Sequence, residues 1–241
     1  MNSLQVMVQP IQESILPNQL LQMYYQVEKE HNFAKKWKRL DEQQIWKELC
    51  FCLLSGNVAY ELVKSTIDCL EEKGFLDYAW ILEEKQSQDF IFKLFNGPNF
   101  EPRKKNGELR KYRYPKKRSG EITKAAKIIY SKSSIKQILE AMNSDVDARN
   151  YLAENVPGLG IKESSHFLRN IGFSNSLAII DVHVLNFLKQ NQFVIWENNS
   201  SLTTKRYCKL ETILKNLSEF HDLDLAIFDL AIWHYMRNNM S

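Results

Sequence analysis

The chain has 241 residues and a formal net charge of +3, and 44% of its residues are hydrophobic while 25% are charged. These values are ordinary for a soluble globular protein that folds by itself, with one sizeable core or two small lobes. The net charge is too small by itself to indicate nucleic acid, so the distribution of charge along the chain has to decide.

Membrane and secreted classes are not expected from this sequence. No apolar run approaches the roughly 20 residues that span a bilayer, and the start of the chain, MNSLQVMVQP, lacks the basic and apolar regions of a signal peptide. We therefore expect an intracellular protein, in the cytoplasm or nucleoid, or in the nucleus if the source is eukaryotic. The cysteines are scattered in apolar helical contexts without metal spacing, which predicts buried thiols at Cys50, Cys52, Cys69 and Cys208.

The first part of the chain is predicted to form helices around a strongly apolar segment. An amphipathic pattern follows Asn18, which predicts a first helix capped by that residue. Asp41 and Gln44 have the spacing of a capping box, and the apolar positions after them predict a core helix that ends near Gly56.

Asn57 precedes the helical pattern of residues 59–70. Asparagine is typical of an N-cap, because its side-chain oxygen accepts a hydrogen bond from the first turn, so Asn57 is predicted to cap this helix. Two shorter helices are predicted at residues 77–85 and 88–95.

The stretch EPRKKNGELRKYRYPKKR at residues 101–118 is the most basic part of the chain, with nine basic residues against two acidic ones. Tyr112 and Tyr114 are interleaved with the charges, which suits contact with phosphates and packing against sugars or bases. The alternative is a solvated, mobile loop. Ser119 is predicted to begin the next helix. If the stretch faces DNA, the candidate phosphate ligands are Arg113, Lys116, Lys117 and Arg118.

The stretch from Tyr151 to Gln190 is predicted to organise the protein. Two helical patterns flank the sequence PGLG, in which Gly158 and Gly160 permit the backbone geometry of a sharp hairpin. The pattern therefore predicts a helix–hairpin–helix. Amides of the hairpin and of the following helix start can point at a phosphate, which grips a nucleic acid backbone without reading bases.

Lys162 and Asp181 are the candidate catalytic residues. Lys162 lies in the first turn of the helix after the hairpin, where the helix dipole disfavours an ammonium and favours a nucleophilic amine. Asp181 follows an apolar run and begins another helix, so its carboxylate can cap that helix and face the earlier helix start. Together they make a nucleophile–base pair. The alternatives are an exposed helical lysine and a simple N-cap.

The C-terminal part is predicted to contain a loop at residues 198–201 and helices at 203–220 and 223–237. In the last helix, Asp229 and Trp233 lie one turn apart and can face the same pocket. The alternative places Trp233 in the core and makes Asp229 an ordinary surface or capping carboxylate.

Two of these segments resemble a known family. The strings VPGLGIKESSHFLRNIGF and AIIDVHVLNFL are similar to the helix–hairpin–helix (HhH-GPD) DNA glycosylases, and especially to the archaeal-type, second subgroup of 8-oxoguanine DNA glycosylase/AP lyases. The resemblance implies an all-α fold of two helical lobes with the active site in the cleft between them. The central lobe would span about residues 57–170, and residues 1–56 and 171–241 would form the second lobe.

The resemblance also implies roles for single residues. In that family the hairpin lysine attacks C1′ of the damaged nucleotide and a downstream aspartate assists, which places these roles on Lys162 and Asp181. Asn57 would present its amide to the gap left by the flipped base, and Trp233 would stack on the flipped purine.

The remaining implied contacts involve the base pocket and the DNA backbone. His166, one turn after Lys162, would border the base pocket together with Asp229. His183 would contact a phosphate or pack against the hairpin. A core or surface position is the alternative for both histidines. The backbone contacts of the hairpin itself would come from Gly158 and Gly160.

The resemblance requires no redox cofactor. The C-terminal region contains only Cys208, so no four-cysteine iron–sulfur cluster is expected, and no Cys/His cluster has the spacing of a zinc site. A monovalent cation at the hairpin carbonyls is expected from the family. The chain ends in RNNMS where the subgroup commonly ends in a lysine that contacts the lesion, so lesion recognition is expected to differ in detail.

The implied function is base excision repair by a monomer acting on double-stranded DNA that contains an oxidised guanine, with no membrane partner. The enzyme would remove 8-oxoguanine through a lysine Schiff base and cleave the 3′ side of the abasic site by β-elimination. Two alternatives are the same fold acting on another damaged or mismatched base, and a non-catalytic helix–hairpin–helix DNA-binding protein.

Overall fold

Twelve α-helices and one short 3-10 helix make up the regular structure in the computed structural model, which describes residues 16–31, 36–194 and 202–239. No strand occurs within those ranges, although an antiparallel bridge joins Phe100 and Arg110. The predicted all-α class is confirmed. No helix in the described part of the chain is long and apolar enough to cross a membrane. The α-helices are α1 Asn18–Glu30, α2 Glu42–Leu54, α3 Tyr60–Glu72, α4 Tyr78–Glu83, α5 Ser87–Asn96, α6 Pro115–Tyr130, α7 Ile135–Glu140, α8 Asp145–Asn155, α9 Ile161–Asn170, α10 Val182–Gln190, α11 Thr204–Phe220 and α12 Leu225–Asn239.

The chain divides into two compact units. We call Lys36–Ile171 the central unit, and Met1–Lys35 with Gly172–Ser241 the terminal unit. Helix α2 lies in the central unit, where it packs against α3, α6, α7 and α9. The two lobes that the resemblance implies, with boundaries near residues 56 and 170, stay a prediction.

Helix α2 forms the core of the central unit. Its capping box has the predicted geometry, with the Gln44 N–H donating to Asp41 Oδ1 at 2.7 Å and the Asp41 N–H donating to Gln44 Oε1 at 2.9 Å. The indole N–H of the buried Trp46 donates to the carbonyl of Leu76 at 2.8 Å. Apolar residues on nearly every side of α2 are buried, which explains why it belongs to the middle of a unit rather than to an edge.

Asn57 is not the N-cap that the sequence predicted. Helix α3 begins only at Tyr60, and its N-cap residue Ala59 makes no side-chain capping bond. Asn57 lies in the turn after α2 with a φ of 57°, in the left-handed region that asparagine tolerates better than most residues. The residue therefore shapes the turn instead of starting a helix.

Helix α6 begins at Pro115, four residues before the predicted start at Ser119. Proline suits the first helical position, because its φ is already helical. The N–H that it lacks would make no hydrogen bond within the helix at that position. The last basic residues of the 101–118 stretch consequently lie in a helix and not in a loop. Ser119 is buried inside that helix.

The terminal unit is built on α12, against which α1, α10 and α11 pack. Tyr24 of α1 accepts a hydrogen bond from the N–H of Asp224 at 3.0 Å, just before α12 begins. Helix α11 is capped by Thr203. The loop predicted at residues 198–201 lies outside the described residues.

The cysteines follow the prediction only in part. Cys50 and Cys52 are buried, and burial raises the pKa of both thiols well above the ordinary value. Cys69 and Cys208 are partly exposed, so the prediction of buried thiols is wrong for these two. Both residues lie near the edge of the apolar face of their helix. The periodic pattern of the sequence does not distinguish such edge positions from fully buried ones.

Candidate active site

A helix–hairpin–helix lies at residues 145–170, where α8 packs against α9. The hairpin is closed by the N–H of Leu159, which donates to the carbonyl of Val156 at 3.2 Å. Gly158 has a φ of +87°, a conformation that side chains rarely adopt, and Gly160 is the N-cap of α9. The predicted motif is therefore confirmed in the fold, with the amides of the α9 start next to the hairpin.

The buried side chain of Arg118 binds the hairpin. Its side chain is only 8% exposed, and Nη1 donates to Glu121 Oε2 at 2.9 Å and to the carbonyl of Gly158 at 3.2 Å. A methyl group on Gly158 would lie 2.8 Å from the Glu121 carboxyl carbon, and one on Gly56 would collide with the Arg118 guanidinium. Arg118 thus joins the hairpin to the turn after α2. Because it is buried, it does not present a surface cation to a phosphate as the sequence predicted.

Lys162 is the second residue of α9, and its side chain is 28% exposed. Its Nζ lies 3.3 Å from Glu163 Oε1. The other oxygen of that carboxylate would lie 2.9 Å from a methyl group on Gly160, so the glycine leaves room for the carboxylate beside the hairpin. Sequence reasoning missed Glu163, because adjacent helical residues are not expected to face each other.

His166 lies one turn after Lys162 and touches Phe51 edge to face, with ring centroids 6.4 Å apart. Loss of solvation, assisted by the charges of Arg169 and Lys162, holds the pKa of His166 well below its usual 6.5. The imidazole is therefore neutral at neutral pH. A neutral ring beside an aromatic one suits the border of a base pocket.

Asn57 is exposed at the tip of the turn after α2. Its carbonyl accepts a hydrogen bond from Arg113 Nη1 at 2.6 Å, and the Arg113 guanidinium lies 5.1 Å from the centre of the Tyr114 ring. Arg113 therefore fixes the backbone of this turn. The side-chain amide of Asn57 makes no hydrogen bond to a described residue.

Lys116 and Lys117 lie in the first turn of α6, which carries no acidic residue there. Both are exposed. Lys117 Nζ is 3.9 Å from Glu121 Oε1, which is a weak contact. The same carboxylate is bound more closely by Arg118. Exposed ammonium groups at the positive end of a helix are the arrangement that an anion such as phosphate would stabilise.

Asp181 caps α10, as predicted. Its Oδ1 accepts hydrogen bonds from the N–H groups of His183 and Val184, both at 2.9 Å. The carboxylate is thereby held in one orientation, since a capping interaction fixes the side chain against the helix start.

The segment before Asp181 is held by side chains from α11 and α12. The Tyr207 hydroxyl donates to the carbonyl of Ala178 at 2.7 Å and accepts from the N–H of Ile180 at 3.2 Å. The Ala178 N–H donates to Glu211 Oε1 at 3.1 Å. Neither Tyr207 nor Glu211 was found from the sequence, because no local pattern links residues about 30 positions apart.

Asp229 is almost completely buried, and its Oδ2 accepts from the N–H of Ile179 at 2.7 Å. It is therefore not the surface carboxylate that the sequence left as an alternative. Trp233 is partly exposed and meets His183 edge to face at 6.1 Å, while the Arg237 guanidinium lies 5.0 Å from the ring centre. His183 Nδ1 is buried and has no hydrogen-bond partner among the described residues.

The structure brings the predicted residues together in two groups. The central unit carries Asn57, Arg113, Lys116, Lys117, Arg118, Gly158, Gly160, Lys162 and His166. The terminal unit carries Asp181, His183, Asp229 and Trp233. Within the described residues, no group of three or more His, Cys, Asp or Glu side chains could hold a metal ion.

An all-α fold with a lysine at the start of the second hairpin helix agrees with the helix–hairpin–helix DNA glycosylases that the sequence resembles. The model of the Ogg-HhH family, described as 8-oxoguanine DNA glycosylase, matches residues 27–223, and the chain belongs to that family. The resemblance inferred from the sequence is confirmed.

Similar proteins agree with this assignment. The chain is 33% identical over 202 residues to an 8-oxoguanine DNA glycosylase/AP lyase of Picrophilus torridus, covering 83% of this chain and 82% of that protein. It is 35% identical over 193 residues to the corresponding protein of Korarchaeum cryptofilum, covering 80% of each. The crystal structure of the Methanocaldococcus jannaschii 8-oxoguanine glycosylase/lyase, in complex with a 15mer DNA containing 8-oxoguanine, matches with a TM-score of 0.72 and 28% identity, over 92% of this chain and 96% of that chain.

Proposed function

We propose that this protein removes 8-oxoguanine from double-stranded DNA and then cleaves the strand at the resulting abasic site. The observation that carries the proposal is a lysine in the first turn of the second hairpin helix, in a chain that matches the 8-oxoguanine DNA glycosylase family over residues 27–223. Excision repair of this kind takes place where the genome is, so we propose an intracellular monomer that docks on one damaged nucleotide.

DNA binding has to supply free energy for base flipping. Extruding a nucleotide from the duplex costs about a few kcal/mol. Phosphate contacts from the hairpin amides around Gly158 and Gly160, and from Lys116 and Lys117 of α6, would offset that cost. A phosphate contact by His183 stays a prediction, and it would have to come from Nε2, because Nδ1 is buried.

The first chemical step would be a displacement at C1′. The unprotonated amine of Lys162 forms a bond to C1′, and the glycosidic bond breaks with its electron pair leaving on the oxidised base, which takes up a proton. Asp181 would accept a proton from the lysine and stabilise the positive charge that develops on the sugar. The capping bonds to His183 and Val184 support this role, because they orient the carboxylate beforehand.

The second step would be β-elimination. The sugar ring opens as the C1′–O4′ bond breaks, which leaves a Schiff base between Lys162 and C1′. The positive imine nitrogen acidifies the C2′ proton; its removal forms a C2′–C3′ double bond and breaks the bond from C3′ to the 3′ phosphate oxygen. Hydrolysis of the imine then frees the lysine, so no redox cofactor is consumed.

Base recognition would use four side chains. Asn57 would place its amide in the gap left by the flipped base, and Trp233 would stack on the purine, with His166 and Asp229 at the border of the pocket. The exposed turn supports the assignment of Asn57, and the neutral imidazole supports that of His166. A base that stacks on Trp233 must use the ring face opposite Arg237 or displace that guanidinium.

A monovalent cation at the hairpin stays a prediction. The carbonyls of Val156 and Gly158 each accept one hydrogen bond within the central unit and keep a second lone pair, so they would be its ligands. The cation would add positive charge where the DNA backbone approaches. No step of the reaction passes through it.

Borohydride trapping tests the proposal. The protein is incubated with a duplex that contains 8-oxoguanine opposite cytosine, and reduction converts the Schiff base into a stable covalent adduct. We expect an adduct with the wild-type protein and with the matched control Lys124→Gln in α6, and no adduct with Lys162→Gln. An adduct that persists in Lys162→Gln, or none with the wild type, would refute the mechanism. A panel of other lesions in the same assay tests the base assignment.

A further inference from the structure

Residues 99–112, which we call the basic loop, have a defined backbone structure. The Arg110 N–H donates to the Phe100 carbonyl at 2.8 Å, and the Phe100 N–H donates back to the Arg110 carbonyl at 3.0 Å. At the tip, the Gly107 N–H donates to the Lys104 carbonyl at 2.9 Å, which closes a tight turn. These hydrogen bonds define the fold of the loop; whether it is mobile or faces DNA stays a prediction.

The basic loop is anchored to the central unit at both ends. Phe100 and Tyr112 are buried beside Phe95 of α5, with ring centroids 6.2 and 4.9 Å from it. The Tyr112 hydroxyl donates to the Leu54 carbonyl at 2.6 Å, at the end of α2. The Glu101 N–H donates to the Ser65 hydroxyl of α3 at 2.9 Å. These contacts fix the base of the loop on the protein.

Part of the positive charge is used inside the basic loop. Arg103 pairs with Glu101 at 3.3 Å, and Lys104 pairs with Glu108 at 3.0 Å. Arg110 Nε donates to the carbonyl of Pro102 at 2.7 Å. The two acidic residues of the loop thus pair with two basic residues. The remaining basic residues of the loop are not neutralised by them.

Lys105 and Lys111 remain directed to solvent. Both are exposed, and neither has an ion pair or hydrogen bond with a described residue. Lys105 lies in the tip turn, and Lys111 lies between the bridge and the buried Tyr112. Two residues further on, Arg113 binds the Asn57 carbonyl, so the basic loop continues into the turn that we assign to the base gap.

We propose that Lys105 and Lys111 contact phosphates of the duplex outside the nucleotide that is excised, so that the basic loop extends the DNA-binding surface along the helix. The proposal rests on the proposed function only for the identity of the ligand. From the bridge to the tip the loop spans five residues, from Phe100 to Lys105. At about 3.3 Å per residue this is a reach of up to about 16 Å, or about five base pairs.

Salt dependence of DNA binding tests the proposal. Each phosphate contact contributes about 0.9 to the slope of log affinity against log salt, so Lys105→Ala/Lys111→Ala should lower the slope by about 1.8. The ratio of the DNA affinity of the wild type to that of the variant should then rise about twelvefold as the salt concentration falls from about 200 mM to about 50 mM. Fluorescence anisotropy with an undamaged duplex of about 30 base pairs measures both quantities.

A matched control is Lys127→Ala/Lys132→Ala, which removes two exposed lysines near the far end of α6. It should leave the slope unchanged, whereas an equal loss in the control would show that only total charge matters and would overturn the proposal. A duplex that carries a tetrahydrofuran abasic analogue fixes the position of the protein. Shortening it to about three base pairs on one side should remove the contact of Lys105 at the tip, and so about halve the difference in slope between wild type and loop variant, for one of the two sides. A difference that is undiminished with both shortened duplexes would also overturn the proposal.

The two proposals fail independently. Binding of undamaged duplex does not require chemistry at Lys162, so a failed borohydride trap would leave the measured slopes valid. An unchanged slope in Lys105→Ala/Lys111→Ala with normal excision would refute the role of the basic loop and leave the proposed function intact.

Discussion

Replacing Arg118 by methionine should destabilise the protein more than the same replacement of any other basic residue in the 101–118 stretch. The guanidinium is buried beneath the hairpin, where it binds the Glu121 carboxylate and the Gly158 carbonyl. Methionine keeps much of the volume but removes both interactions. Among the described residues, the Glu121 side chain, which is 16% exposed, is then left with only the distant Lys117 as a cationic partner.

The expected loss follows from burial. Removing one partner of a buried ion pair costs about 3–5 kcal/mol. The residual exposure of Glu121 and its contact with Lys117 reduce this range, and we expect a loss of about 2–4 kcal/mol in the free energy of unfolding. For a chain of this length the loss corresponds to a fall in Tm of about 4–16 °C.

Urea titration followed by far-ultraviolet circular dichroism measures the loss. Lys117→Met is the matched control, because Lys117 contacts the same carboxylate from a position that is 67% exposed. It should cost no more than about 0.5 kcal/mol. The double variant Arg118→Met/Glu121→Leu should recover part of the stability, since no buried charge is left unpaired. Equal losses for Arg118→Met and Lys117→Met would refute the assignment of Arg118 as the support of the hairpin.

Two further predictions concern Tyr207 and His166. Tyr207→Phe should lower the free energy of unfolding by about 1–3 kcal/mol in urea titration, because the buried backbone groups of Ala178 and Ile180 lose their partner; no loss would show that these bonds do not hold the segment. The lowered pKa of His166 means that below pH 6.5 the unfolded chain takes up a proton that the folded protein does not. Stability should therefore fall on acidification from about pH 7.5 to about pH 5, and it should fall less in His166→Asn. Equal falls in both proteins would contradict the pKa shift.

The sequence by itself determined the features that depend on neighbouring residues. The capping box at Asp41, the cap at Asp181 and the hairpin at Gly158 are formed by residues within a few positions of one another, so their patterns are visible without a structure. The same is true of the lysine in the first turn of α9, because helix periodicity and the hairpin glycines together fix its place. The fold class and the family were inferred from the resemblance of the two segments that contain this lysine and Asp181 to a known family.

Only the tertiary structure decided what distant residues do. Arg118 looked like one more cation of a basic stretch, but its partner Gly158 lies 40 positions further on. Asp229 was predicted either to face the base pocket or to be a surface or capping carboxylate, and the structure shows that it binds the backbone of Ile179, 50 positions earlier. In both cases a charged group is buried because another segment supplies its hydrogen bonds, and burial of that kind leaves no periodic trace in the sequence.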